Sequence, residues 1–102
     1  MIPPLKPKNT TMILSAKFQL GIISSTPGVI QTVNSEDAYE CLCRHESGDW
    51  GDVAEEQHLE NDTALVSDSR LLSVYRDRQG VEFWIITEWD RYATTIALPS
   101  EY

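Results

Sequence analysis

Acidic side chains carry the densest chemistry in this sequence. Ten of its sixteen Asp and Glu residues fall between Glu36 and Asp62, with Arg44 the only Lys or Arg among them. Asp52, Glu56 and Glu60 recur at every fourth position, so on a helix they form one ridge. Glu55 lies beside it, and each step along the ridge is about 6 Å. Like charges at this spacing cost roughly a few tenths of a kcal/mol per pair. A surface that keeps them suits a basic groove on a partner, of the kind that holds a nucleic-acid backbone; a solvated helix face is the plainer alternative. Ahead of the ridge, two glycines bracket Asp49-Trp50 in Ser47-Gly48-Asp49-Trp50-Gly51-Asp52. Trp50 is either an interface anchor or a ring folded beneath its loop, with Asp49 capping the helix that follows. The candidate binding residues are Asp49, Trp50, Asp52, Glu55, Glu56 and Glu60.

A second constellation is basic. Arg70 and Arg91 can form an anion site near a sheet edge, with His45 as acid or base if a helix end lies nearby. They belong to a polar set that also holds Ser73, Tyr75, Thr87, Glu88, Asp90, Tyr92, Thr94 and Thr95. Cross-strand pairing, Glu88 with Arg91 or Arg70 for instance, is the simpler account. Cys41-x-Cys43-x-His45 has alternate-residue spacing that would face one way on a strand. The segment reads as helix, where these positions fan apart, and a fourth ligand is missing. No metal or cofactor is expected. The chain holds no phosphate loop, G-x-G-x-x-G, H-E-x-x-H or nucleophile elbow, so a binding protein is expected before an enzyme.

The elements that must position these residues are short. Residues 1–11 hold three of the five prolines and read as a flexible tail; residues 12–102 read as one domain. Met12 to Ser24 alternates loosely, with Phe18, Leu20 and Ile22 on one side of a strand. Thr26-Pro27 opens a short helix whose apolar face is Val29, Ile30 and Val33. Asn34-Ser35-Glu36-Asp37 caps a second helix, in which Ala38, Tyr39 and Leu42 follow at helical spacing and Arg44 and His45 complement the C-terminal dipole. A third runs from about Asp52 to Val66. The period then changes. Arg70–Arg76, Val81–Glu88 and Tyr92–Leu98 read as strands, with Gly80 suited to the hairpin between the first two. Apolar residues on both faces of Val81–Glu88 make that strand central. The expected class is α+β: two or three short helices, then a three-stranded antiparallel meander that the N-terminal strand can join.

Bulk properties narrow the function. A chain of 102 residues with 41% hydrophobic residues can bury one core. Its two cysteines are too close in sequence to staple a fold. No apolar run reaches the ~20 residues of a membrane span, and Met1–Thr11 lacks the pattern of a secretory signal, so a cytoplasmic location is expected. A net charge of −8 disfavours direct contact with nucleic acid or an anionic membrane. It suits a cationic partner.

From about Leu20 onward the chain resembles a family of small bacterial proteins carried on plasmids, phages and integrated elements. The residues that carry the likeness are Thr26–Gly28 (T-P-G), His45–Asp52 (H-E-S-G-D-W-G-D), Asn61–Asp62, Arg70–Tyr75, Ile86–Thr95 (I-T-E-W-D-R-Y-A-T-T) and Leu98–Tyr102. The resemblance implies a mobile-element context and no established chemistry. Joined to the acidic ridge, it leads to the expectation of a non-enzymatic inhibitor that covers a basic surface on a host or element protein, such as one that targets nucleic acid in defence. Separately, Asp68–Leu72 and Asp90–Thr94 are similar to the C-terminal hairpin of barnase-type ribonucleases. Arg70 would match the phosphate-binding arginine, whereas Arg91 stands where that family has its histidine acid. RelE-type toxins work with arginine and lysine instead, so the alternative is an RNA-cleaving toxin using Arg70, Arg91 and His45.

Overall fold

A computed structural model describes residues 16–102. The expected tail at 1–11, and the start of the expected strand at Met12, lie outside the described residues. The elements in chain order are β1 (Ile22–Ser25), α1 (Pro27–Thr32), α2 (Ser35–Glu46), α3 (Glu55–Ser67), β2 (Leu71–Arg76), β3 (Glu82–Thr87) and β4 (Ala93–Ala97), with a closing 3-10 turn at Pro99–Glu101. The class is α+β, but the sheet is not a three-stranded antiparallel meander. Its order is β1-β4-β3-β2. β2, β3 and β4 do form a meander, and β1 joins β4 in parallel, with Ile22 beside Ala93 and Ser25 beside Ile96. β3 is internal, as its two apolar faces require. Among the described residues no helix is long and apolar enough to cross a membrane.

β1 is shorter than the alternation predicts, and Gly21 is the reason. Its φ of 68° breaks the strand where the backbone passes the Tyr92 carbonyl, against which a Cβ would overlap. Phe18 and Leu20 therefore turn inward against the core, while Ile22 beyond the break is exposed.

α1 starts at Pro27, whose missing N–H costs nothing there. Its cap comes from the far end of the chain. The Glu101 carboxylate accepts from the Thr26 hydroxyl at 2.6 Å and from the Gly28 N–H at 2.9 Å. The Thr26 bond leads in holding that carboxyl below its usual range. Six residues are too few for a broad apolar stripe, so Val29 and Val33 are buried and Ile30, expected on the same face, points outward.

α2 begins as its sequence predicts, with the Asn34 side chain accepting from the Asp37 N–H at 3.1 Å. The β2–β3 hairpin docks on this end. Arg78 binds Asp37 and Glu36, at 2.9 and 3.1 Å, and Asp77 accepts from the Asn34 N–H at 2.9 Å. α3 starts later than expected and Asp49 does not cap it; the N-cap is Ala54, without a side-chain bond. The helices cover the inner sheet face. One core cluster joins Val29, Val33, Leu42, Tyr75, Phe83, Ile85 and Ile96, and a second joins Trp50, Ala64 and Leu71.

Candidate functional site

The structure divides the sequence candidates into buried, committed and free side chains. Trp50 is buried. Its ring lies 1% exposed between Phe18 and His45, and its indole N–H donates to Asp62 at 3.1 Å. It is a structural staple and not a surface anchor. Asp49 is committed: it pairs with Arg44 at 2.8 Å and accepts from the Gly51 N–H, and the arginine leads in lowering its pKa. Asp52 does not extend the ridge, because it precedes the first residue of α3 and its N–H donates to the Val74 carbonyl at 2.7 Å. Glu56 and Glu60 do share one side of α3, with Glu55 next to Glu56.

Why α3 sits where it does follows from its inner face. The Asn61 amide donates to the Leu72 carbonyl at 2.8 Å and accepts from the Leu72 N–H at 3.2 Å. One side chain thus does what a neighbouring strand would do for the edge of β2. The adjoining edge groups are taken by the loop: Val74 N–H donates to the Trp50 carbonyl, and Gly51 forms an isolated bridge with Val74. With α3 fixed along this edge, Glu60 and Gln57 overlook the outer sheet face. There a groove of about 330 Å³ is lined by Gln57, Glu60, Arg70, Leu72, Trp84, Ile86 and Tyr102. A second hollow of about 450 Å³ continues from it along α3 toward Leu59 and Ser67.

The second constellation is dispersed. His45 does not complement the α2 terminus as a charged group; it is 0% exposed and bonded at both ring nitrogens. The chain of donors settles its tautomer. Thr94 donates its hydroxyl to the Leu20 carbonyl at 2.7 Å, so it accepts from Thr87 at 2.7 Å. With that proton spent, Thr87 accepts from His45 Nε2 at 2.9 Å, and Nδ1 accepts from Ser73 at 2.6 Å. Burial, with Arg91 adding repulsion, pushes the imidazole down to about 3. Neutral and enclosed, it reaches no solute in this fold.

Arg91, in left-handed backbone conformation at φ 61°, donates to the carbonyls of Ala64, Ser69 and Glu88 at 2.8, 2.6 and 3.0 Å. It thereby ties the end of α3, where Asp68 in left-handed conformation is the C-cap, to the β3–β4 turn, so the expected side-chain pairing with Glu88 is instead a bond to that residue's backbone. Replacing Arg91 with alanine is expected to cost roughly 2 kcal/mol, since these carbonyls and that of Trp89, at 3.3 Å, lose a charged donor. Urea denaturation measures it, and parental stability in that variant would refute the bracing role. Arg70 lies elsewhere, donating to the Tyr102 hydroxyl at 2.6 Å with its guanidinium over that ring. His45, Arg70 and Arg91 therefore do not converge on one accessible point. Among the described residues no cluster of three metal-ligating side chains occurs; Cys41 is buried, and burial raises its thiol to about 11.

Sequence reasoning missed Asn61, Gln57, Trp84 and Tyr102. An asparagine within a helix is the signal that could have found Asn61, because helix interiors disfavour it unless its amide has a use.

What these features define is an α+β protein with a mixed four-stranded sheet, one capped sheet edge and an acid-flanked groove. No protein-family model, curated protein or solved structure matches the chain.

Proposed function

We propose that this is a non-enzymatic binding protein that offers the acidic side of α3, with the groove beside it, to a basic surface of a partner protein. The observation that carries the reading is continuity. Glu55, Glu56 and Glu60 form no salt bridge among the described residues, whereas Glu36, Asp37 and Asp49 are bound to arginines. The unpaired acids run directly into a groove floored by Trp84 and Tyr102, whose rings meet edge to face at 6.4 Å. Arg70 already stands over the Tyr102 ring, an instance of a cation held on these aromatic faces, and the carboxylates beside the Trp84 ring suit a partner's Lys or Arg side chains. The resemblance to plasmid and phage proteins supports a partner that handles nucleic acid, and inhibition of a host defence system by occupying its basic groove is the role we assign.

Affinity capture of the tagged protein from host lysate, at low and high salt, identifies the partner. The decisive step is to repeat the binding measurement with Glu55, Glu56 and Glu60 all changed to lysine. Affinity is expected to fall at least about ten-fold, equivalent to ~1.4 kcal/mol. The native complex should also weaken as salt rises. If the reversed protein binds as tightly as the parent, the reading is wrong.

A further inference from the structure

The two edges of the sheet are finished differently. Along β2 the outward backbone groups of Leu72 and Val74 are occupied by Asn61, Trp50 and Asp52. Along β1, the Ile22 N–H donates to the Tyr92 carbonyl and the Thr26 N–H to the Ile96 carbonyl, both at 2.9 Å. By alternation, residues 22, 24 and 26 face β4, and the backbone groups of Ile23 and Ser25 face away. No strand among the described residues pairs with them. Of the devices that deter pairing β1 has only its shortness, four residues; it carries no charge, no proline and no bulge. Ile22 and Ile23 are 62% and 46% exposed. Next to this edge, on the helix-covered face, lies an apolar groove of about 320 Å³ lined by Ser25, Val29, Ile30, Tyr39, Leu42 and Ile96. Ile30 and Tyr39 beside it are 72% and 64% exposed.

We propose that this edge is a dimer interface, at which β1 of a second copy adds antiparallel about a two-fold axis through Ser24. The two four-stranded sheets become one continuous sheet. Charge selects this occupant. With a net charge of −8, two copies repel wherever their acidic surfaces meet. The longest uncharged run in the chain, Phe18 to Ser35, contains the whole of β1 and α1, so this edge is also where like copies approach at least electrostatic cost. Symmetry agrees. With Ser24 on the axis, Ile23 and Ser25 of one copy form hydrogen-bonded pairs with Ser25 and Ile23 of the other. Ile23 shares its sheet face with Thr94 and Ser25 with Ile96, so each Ile23 side chain arrives beside Ser25 at the mouth of the second copy's apolar groove. The acidic side of α3 lies along the opposite sheet edge. Dimerisation therefore leaves it open in both copies and stands or falls independently of the binding role.

The test is sedimentation equilibrium of the full chain over a wide concentration range, joined to hydrogen exchange at the Ile23 and Ser25 amides. A weight-average mass rising two-fold with concentration is expected, with protection of both amides rising in step. Ile23→Lys, at a half-exposed position, should return the mass to that of the monomer with an unchanged circular dichroism spectrum. Ser24→Cys should cross-link two copies on oxidation, because residues facing each other at a non-hydrogen-bonded pair lie close. A monomer at every concentration with freely exchanging amides overturns the proposal. So does a monomer whose two amides are protected at all concentrations, which would assign the edge to the chain's own residues 1–15. Dimerisation unaffected by Ile23→Lys, without the Ser24→Cys cross-link, would place the interface elsewhere.

Discussion

Replacing His45 with alanine is expected to destabilise the fold by about 3–5 kcal/mol, a large share of the roughly 5–15 kcal/mol that holds a domain of this size. Two losses combine. A fully buried ring disappears from its edge contacts with Phe18 and Trp50, and Ser73 and Thr87 lose the partner that satisfies them. Urea midpoints measure the loss directly; less than about 1 kcal/mol would contradict the assigned network. The same ring gives stability a pH dependence. Its folded value of about 3 lies below the ordinary 6.5, so protons bind preferentially to the unfolded chain. The stabilisation is whole above about pH 6.5 and is lost as pH falls toward 3, at up to ~1.4 kcal/mol per pH unit.

Between pH 7 and pH 5.5 the expected loss is about 1 kcal/mol. That interval lies above the range where Asp37, Asp49, Asp77 and Glu101, all lowered by hydrogen bonds, begin to lose theirs. Glu46, raised by burial, acts in the opposite direction at the lower end. His45→Gln keeps a donor and an acceptor but cannot titrate at these pH values, so its stability should be flat across the interval. An equal slope in parent and variant would assign the proton uptake to another group.

The second large effect is expected at Gly51. Its φ is 72°, and an added Cβ would overlap the Val74 carbonyl oxygen and press on the Tyr75 ring. Gly51→Ala therefore combines backbone strain, about 1–2 kcal/mol, with displacement of the loop from β2. That displacement breaks the bonds from Val74 N–H to Trp50 and from Asp52 N–H to Val74, and loosens Trp50 within the core. A total loss of roughly 3–5 kcal/mol follows. Gly80 provides the control, since its φ is 86° but nothing lies within 4 Å of the added methyl. Gly80→Ala should show the strain alone. Thermal melts of the two variants compare the effects, and equal losses would mean that the contact with β2 contributes nothing.

Much of the local structure was legible from neighbouring residues. Pro27 and Asn34 mark the starts of α1 and α2, because those positions depend on a missing N–H and a capping oxygen within three residues. The three C-terminal strands follow from their β-branched and aromatic content, and the internal place of β3 from its two apolar faces. The acids of α3 were visible as a charge concentration. Asp52 fell off the ridge because periodicity continues through a loop without any mark of where the helix begins.

The sequence by itself determined the α+β class, the order of helices before the strand meander, the hairpin at Gly80 and the acidic side of α3, all of which rest on short-range steric and hydrogen-bonding preferences. Tertiary structure alone decided that β1 pairs parallel with β4, that His45 is neutral and enclosed, that Arg91 braces α3, and that Asn61 closes one sheet edge while no other described strand pairs with the opposite one. Each of these joins groups distant in the chain, and their protonation and exposure depend on what packs around them.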